Sequence, residues 1–148
     1  MTKALPNKNL VLYADDDRDD IELVRDAFQI YSHSTELKTF QDGVELLDHV
    51  SKLNSLSPQP CLIILDINMP RLNGKEVLAR LRNIDGFANT PVVLFSTSTL
   101  PSEMAFAKTF DAGFLTKPLC TEHIHLLVEK MIDHCSDEAR NNIKRLRG

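Results

Sequence analysis

The 148-residue chain has no apolar run near the length that crosses a membrane, about 20 consecutive residues. Its first residues lack the apolar core of a secretory leader, so cytoplasmic residence and no membrane contact are expected. Internal repeats, low-complexity stretches and an interdomain linker are also missing, which points to one domain. Cysteine is scarce. Cys61, Cys120 and Cys135 are odd in number and widely spaced, which argues against a disulfide framework or a zinc site and for thiols that pack as small hydrophobes. Positive charge is not in excess. A formal net charge of -4 argues against nonspecific nucleic-acid binding through the whole surface. The residues after Ser136 are too few for a helix-turn-helix module with its own core, so no direct DNA binding is expected.

What remains is ordinary globular composition, 43% hydrophobic and 26% charged, enough for a real core. Strand-like and helix-like segments alternate. Leu10 to Ala14 is a short apolar run suited to a strand buried on both faces. Ile21, Val24, Ala27, Phe28 and Tyr31 follow at helical spacing, behind acidic residues that favour a helix N-terminus. Leu37 and Phe40 lie in a second strand. Asp42 with Glu45 has the form of a capping box for a helix carrying Val44, Leu47 and Val50. Ser57–Pro60 breaks that helix before the apolar run Cys61 to Leu65. Asn73 with Glu76 opens a third helix over Val77, Leu78 and Leu81. Val92 to Phe95 reads as a fourth strand, Pro101 as the start of a helix carrying Met104, Ala105, Ala107 and Phe110, and Phe114-Leu115 as a fifth strand. Thr121 is placed to cap a last helix with the stripe Ile124, Leu127, Val128, Met131, Ile132 and Cys135. Five strands alternating with five helices imply a doubly wound parallel α/β sheet.

Open parallel sheets bind ligands beyond the carboxyl ends of their strands. Those ends carry Asp15, Asp16 and Asp17, then Asp66, then Ser96, Thr97 and Ser98, then Lys117. Clustered carboxylates repel unless a cation compensates them, and a hard divalent ion such as Mg²⁺ takes oxygen ligands. A lysine and a hydroxyl opposite can engage phosphate oxygens. The set reads as a phosphoryl-transfer site with a carboxylate nucleophile.

Four motifs, in this order and at these strand ends, give the chain a clear resemblance to the response-regulator receiver family over Leu10 to Cys135. They are Tyr13-Ala14-Asp15-Asp16-Asp17, Leu65-Asp66-Ile67-Asn68-Met69-Pro70 with Asn73-Gly74, Phe95-Ser96-Thr97, and Thr116-Lys117-Pro118. The resemblance implies a flavodoxin-like sheet of strand order 2-1-3-4-5 and a receiver domain over 8–135, with 136–148 a helical extension or flexible tail. It makes Asp66 the phosphoacceptor. Mg²⁺ would be held by Asp16 and Asp66 directly, by Asp15 through water and by the backbone carbonyl of Asn68. Ser96 and Lys117 match the phosphate-binding switch pair, and Phe114 the switch aromatic. Thr97 departs from the small residue usual after the switch hydroxyl, and its branched side chain would narrow the path to the phosphoryl group. The Lys117-Pro118 bond is often cis in the family.

The implied function is a stand-alone response regulator, not an enzyme. It would take phosphate from a sensor histidine kinase or a phosphotransfer protein and act through a separate downstream protein. The short Asp66–Gly74 loop and the Ser57–Pro60 insertion also resemble the small receivers associated with phytochrome-type kinases. Receivers often form a homodimer through the fourth helix, fifth strand and fifth helix, a face that here includes Lys108, Asp111 and Glu122. A haloacid-dehalogenase-like phosphatase is the competing reading, but it wants an acid two residues after the nucleophile, where this chain has Asn68. A scaffold that never takes phosphate is disfavoured by the complete acidic and basic set. The scattered histidines read as surface residues. The tail after Ser136 reads as frayed or solvated, with Ile143 and Leu146 docking on a partner as the sharper alternative.

Overall fold

The computed structural model describes residues 8–53, 57–117 and 120–145. Five strands form one parallel sheet: β1 (Asn9–Ala14), β2 (Thr35–Phe40), β3 (Pro60–Asp66), β4 (Val92–Ser96) and β5 (Gly113–Thr116). Their order is β2-β1-β3-β4-β5, so β1 and β3 lie inside the sheet and the chain reverses its direction of winding between them. The helices are α1 (Arg18–Phe28), α2 (Gly43–Ser51), α3 (Gly74–Leu81), α4 (Pro101–Thr109), α5 (Ile124–Ile132) and α6 (Asp137–Arg145).

The central strands are apolar throughout because both faces are covered, and their side chains divide by parity. Leu10, Leu12 and Ala14 of β1, with Ile63, Leu65 and Leu94, pack against the buried faces of α2, α3 and α4. Val11 and Tyr13, with Leu62, Ile64, Val93 and Phe95, pack against α1 and α5. Burying each such aliphatic side chain contributes about 1.5–3 kcal/mol, and two such layers hold the sheet between the helices. Helix starts follow the expected chemistry. Asp17 caps α1, accepting from the backbone of Asp19 and Asp20, and Asn73 with Glu76 forms a complete capping box on α3. Pro101 occupies the first turn of α4.

Several expectations are corrected. α4 does not bury Met104 and Ala105, which are exposed; it buries Glu103 and Ala107 and half-buries Phe106 and Phe110. The helix therefore starts a residue out of phase with the apolar pattern. In α2 the inward residues are Leu46 and Val50, while Val44 is exposed. Thr121 does not cap α5, which begins at Ile124. A turn there, with Ile124 N–H donating to the Cys120 carbonyl at 3.0 Å, satisfies the backbone without a hydroxyl.

Asp137–Arg145 forms a sixth helix, the helical one of the two forms expected for this segment, and it packs on its own domain. Ile143 is fully buried in the α1/α5 layer. Its carbonyl accepts from Ser34 Oγ at 3.1 Å, and Asn142 Oδ1 accepts from Asn9 Nδ2 at 2.6 Å. One inward isoleucine and two polar clasps seat the helix, so Ile143 is not available to a partner. The expectations for Pro118 and Leu146 lie outside the described residues.

Cys61 and Cys135 are not independent thiols. The fold brings their sulfurs to 3.9 Å, 74 positions apart in sequence.

Candidate functional site

The strand register assembles the site. Ala14 of β1 lies beside Leu65 of β3, so Asp15 and Asp66 are the next residues at neighbouring strand ends. Both fall on the Tyr13 and Ile64 parity, which faces α1 and α5. Ser96 is the last residue of β4 and lies beside Thr116. The backbone N–H of Lys117 then donates to the Ser96 carbonyl at 2.7 Å, which fixes the start of the lysine side chain at the same rim.

Carboxylates from β1, α1 and β3 converge on the ammonium of Lys117. Its Nζ lies 2.9 Å from Asp15 Oδ2, 2.6 Å from Asp20 Oδ2 and 3.5 Å from Asp66 Oδ1. The lysine is 7% exposed, so these contacts act in a poorly solvated space and the charge is held by the acids around it. Asp15 is fully buried. Its Oδ2 also accepts from the Tyr13 hydroxyl at 2.6 Å, and its Oδ1 from the Asp17 backbone N–H at 2.9 Å. Each anchor is local, so Asp15 is fixed before anything binds.

Oxygens of Asp15, Asp16 and Asp66 lie within 4.8 Å of one another. The donors are hard, anionic and close, and one of the acids, Asp16, opens to solvent. That set fits a hard divalent cation, with room on the Asp16 side for waters.

Three carboxylates around one ammonium, with Asp16 beside them, leave an excess of negative charge at the site. Burial, and then the charge of Asp15, push the Asp66 carboxyl up to about 8, with Lys117 only partly opposing them. Burial also raises Asp20 despite its bond to Lys117. Lys117 is raised because its bonds to Asp20 and Asp15 outweigh the cost of burying it. The Tyr13 hydroxyl is pushed far up, first by burial and then by Asp15, and therefore acts only as a donor.

Ser96 is fully buried, and its Oγ accepts from the Ser98 backbone N–H at 3.0 Å. Phe114 is half-buried opposite Leu94 in the register and packs on the α4 side of the sheet, the face that Ser96 shares by parity. Thr97 is exposed at the mouth of the site, and Asn68 is exposed on the loop after β3. That loop is closed by the Gly74 N–H, which donates to the Ile67 carbonyl at 2.9 Å. Any Cβ at Gly74 would overlap the Asp66 carbonyl oxygen, which is why glycine follows Asn73 in the motif.

The structure thus brings Asp15, Asp16, Asp66 and Lys117 together, with Ser96 buried at the adjoining strand end. Two residues that the sequence reading did not single out join them. Asp20 was absorbed into the acidic first turn that a helix dipole favours, although it lies one helical turn beyond Asp16. Tyr13 reads as an ordinary strand aromatic, and only the parity it shares with Asp15 signals its role.

A family model for the response regulator receiver domain matches residues 11–129, which include every one of these residues. The chain belongs to the response regulator receiver family. It is a receiver domain of two-component signalling, in which receivers interact with histidine kinases or phosphotransfer proteins. The response regulator Rcp1 of Synechocystis sp. is 31% identical over 91 residues, a match spanning 60% of this receiver and 62% of Rcp1. The match therefore leaves more than a third of Rcp1's own length unspanned. The Mn²⁺-bound form of Rcp1 superposes with a TM-score of 0.72 at 26% identity, covering 81% of this chain and 88% of that one. The phosphorylated cyanobacterial phytochrome response regulator RcpA superposes with a TM-score of 0.78, covering 89% and 96%; at 23% identity that likeness speaks to the fold alone.

Proposed function

We propose that this receiver accepts a phosphoryl group on Asp66 from a phosphohistidine of a sensor kinase or phosphotransfer protein in the cytoplasm, and that the modified form binds a downstream protein differently. The single observation that supports it best is the placement of Lys117 among Asp15, Asp20 and Asp66. A buried cation is held ready beside the one carboxylate at the end of the central strand β3. In the transfer an Asp66 oxygen attacks phosphorus, the phosphorus–nitrogen bond breaks, and the imidazole keeps the bonding pair. The chain is a substrate of this reaction and not an enzyme for an exchangeable one.

The donor set favours Mg²⁺, held by Asp16 and Asp66 directly, by Asp15 through water and by the Asn68 backbone carbonyl. Asp15 suits the indirect role because both of its oxygens already accept hydrogen bonds. Bound there, Mg²⁺ supplies charge neutralisation to the acids and to the incoming phosphoryl oxygens. Three new acceptor oxygens on Asp66 then compete for Lys117 and for the Ser96 hydroxyl. Drawing Ser96 inward opens space on the α4 side, which the Phe114 ring fills, and this shifts the population toward a second arrangement of α4 and β5. Thr97 narrows the approach.

Phosphorus NMR of the protein with phosphoramidate and Mg²⁺ tests the reading. A protein-bound acyl-phosphate resonance that collapses on adding hydroxylamine is expected. An unchanged donor signal with no new resonance contradicts it.

A further inference from the structure

At the opposite end of β3 from Asp66 lies a second pair of reactive groups. Cys61 is the second residue of β3, and Cys135 follows α5 directly before α6 begins. The Cys135 thiol points at the Cys61 sulfur, 3.9 Å away. We propose that Cys61 and Cys135 form an oxidisable dithiol site, closed to an intramolecular disulfide by a peroxide.

The geometry argues for it in three ways. First, bringing residues 74 positions apart together in an open chain carries a loop-closure entropy that the fold has already met. Second, the sulfurs need to approach by only about 2 Å to reach bonding distance, within reach of side-chain rotation. Third, the two thiols differ in the way a two-step oxidation requires. Cys61 is half-buried, whereas Cys135 is buried. The hydrogen bond from Cys135 pulls the Cys61 thiol down, and the same contact together with burial pushes Cys135 up. Cys61, the more exposed of the two, is therefore assigned as the first thiol to react and Cys135 as the resolving thiol. Cys120, exposed and paired with His123 Nδ1 at 3.0 Å, stands apart from this pair.

With hydrogen peroxide the balance is complete. The Cys61 thiolate attacks one oxygen, the O–O bond breaks, and the departing hydroxide takes up the proton Cys61 had lost, leaving a sulfenic acid and water. The Cys135 sulfur then attacks the Cys61 sulfur. The S–O bond breaks, and hydroxide leaves with the Cys135 proton as a second water. Two thiols are oxidised and one peroxide is reduced. The crosslink ties the start of β3 to the segment that leads into α6, roughly 16 Å along the strand from Asp66. It is therefore independent of the phosphoryl chemistry.

The test uses the full chain as Cys120→Ser, to exclude intermolecular crosslinks, treated with hydrogen peroxide and then alkylated in denaturant. Intact mass is expected to show loss of two hydrogens, and non-reducing peptide mapping a Cys61–Cys135 link. Crosslinking of native protein is expected to be at least about tenfold faster than in urea, because the fold holds the sulfurs in contact. Cys61→Ser removes the link. Cys61 advancing to sulfinic acid without a link, or crosslinking no faster in native than in unfolded protein, overturns the proposal. The peptide map of the Cys120→Ser protein decides the matter even if Cys61→Ser fails to fold.

Discussion

Lys117 Nζ lies closer to Asp20 Oδ2, at 2.6 Å, than to the Asp66 carboxylate, at 3.5 Å from Oδ1. Asp20 is 17% exposed and Lys117 7%, so the pair is only weakly screened. A phosphoryl group on Asp66 has to draw the ammonium partly away from α1. On the proposed function, Asp20 would act as a positioning residue that opposes the phosphorylated state. Asp20→Asn keeps the shape and removes the charge. We expect it to tighten binding of beryllofluoride with Mg²⁺ by about three- to tenfold, the scale of a partly buried ion pair. Isothermal titration checks this, and unchanged or weaker binding would mean that Asp20 supports Lys117 in both states.

The raised Asp66 carboxyl has a pH signature in metal-free protein. Its folded pKa is about 8, against an unfolded value of about 4. Between those limits the unfolded chain has given up a proton that the native state retains. The contribution of Asp66 to stability is thus complete at low pH and is lost as pH rises toward about 8. His49, lowered by burial, acts in the opposite sense below neutrality, so the comparison has to be with Asp66→Asn, which retains His49. In chelator, the Tm advantage of Asp66→Asn over the parent should grow from pH 5 to pH 8, and Mg²⁺ should shrink it. A difference independent of pH would place the charge conflict elsewhere.

Ile143 is the one fully buried side chain of α6. Ile143→Ala removes a fully buried side chain from the α1/α5 layer and is expected to cost about 2–5 kcal/mol, read as a lower urea midpoint. A loss under about 0.5 kcal/mol, the level of surface substitutions, would mean that the helix is not part of the cooperative unit.

The proposed ring movement of Phe114 has its own spectroscopic test. On adding beryllofluoride and Mg²⁺, the ring resonances should shift in the parent and stay fixed in Ser96→Ala, which removes the hydroxyl the phosphoryl oxygens draw inward. An unchanged Phe114 environment in the parent would rule out the ring movement.

The strands and the rim were legible because both depend on local pattern. Apolar runs mark strands covered on two faces, and parallel strands must deliver their last residues to one edge, so the sequence alone places Asp15, Asp66, Ser96 and Lys117 together. What escaped depends on contacts across the chain. A nine-residue helix with a single buried isoleucine has no apolar stripe, so the sequence leaves α6 open between a helical extension and a solvated end and does not show that it packs on the domain. Glu103 breaks the hydrophobic pattern of α4 and misassigns its inner face. The approach of Cys61 to Cys135 follows from packing of α5 across the sheet, and no spacing rule encodes it. Asp20 was visible but already accounted for by the helix dipole, and only geometry shows that its carboxylate turns toward Lys117.

Intact-mass spectrometry after incubation with acetyl phosphate tests the central claim most directly, comparing the parent with Asp66→Asn, each with Mg²⁺ and with a chelator. A single phosphoryl adduct on the parent, lost in Asp66→Asn and lost in chelator, is the predicted result. An adduct that persists in Asp66→Asn, or a parent that takes no phosphate while Mg²⁺ is bound, would contradict it.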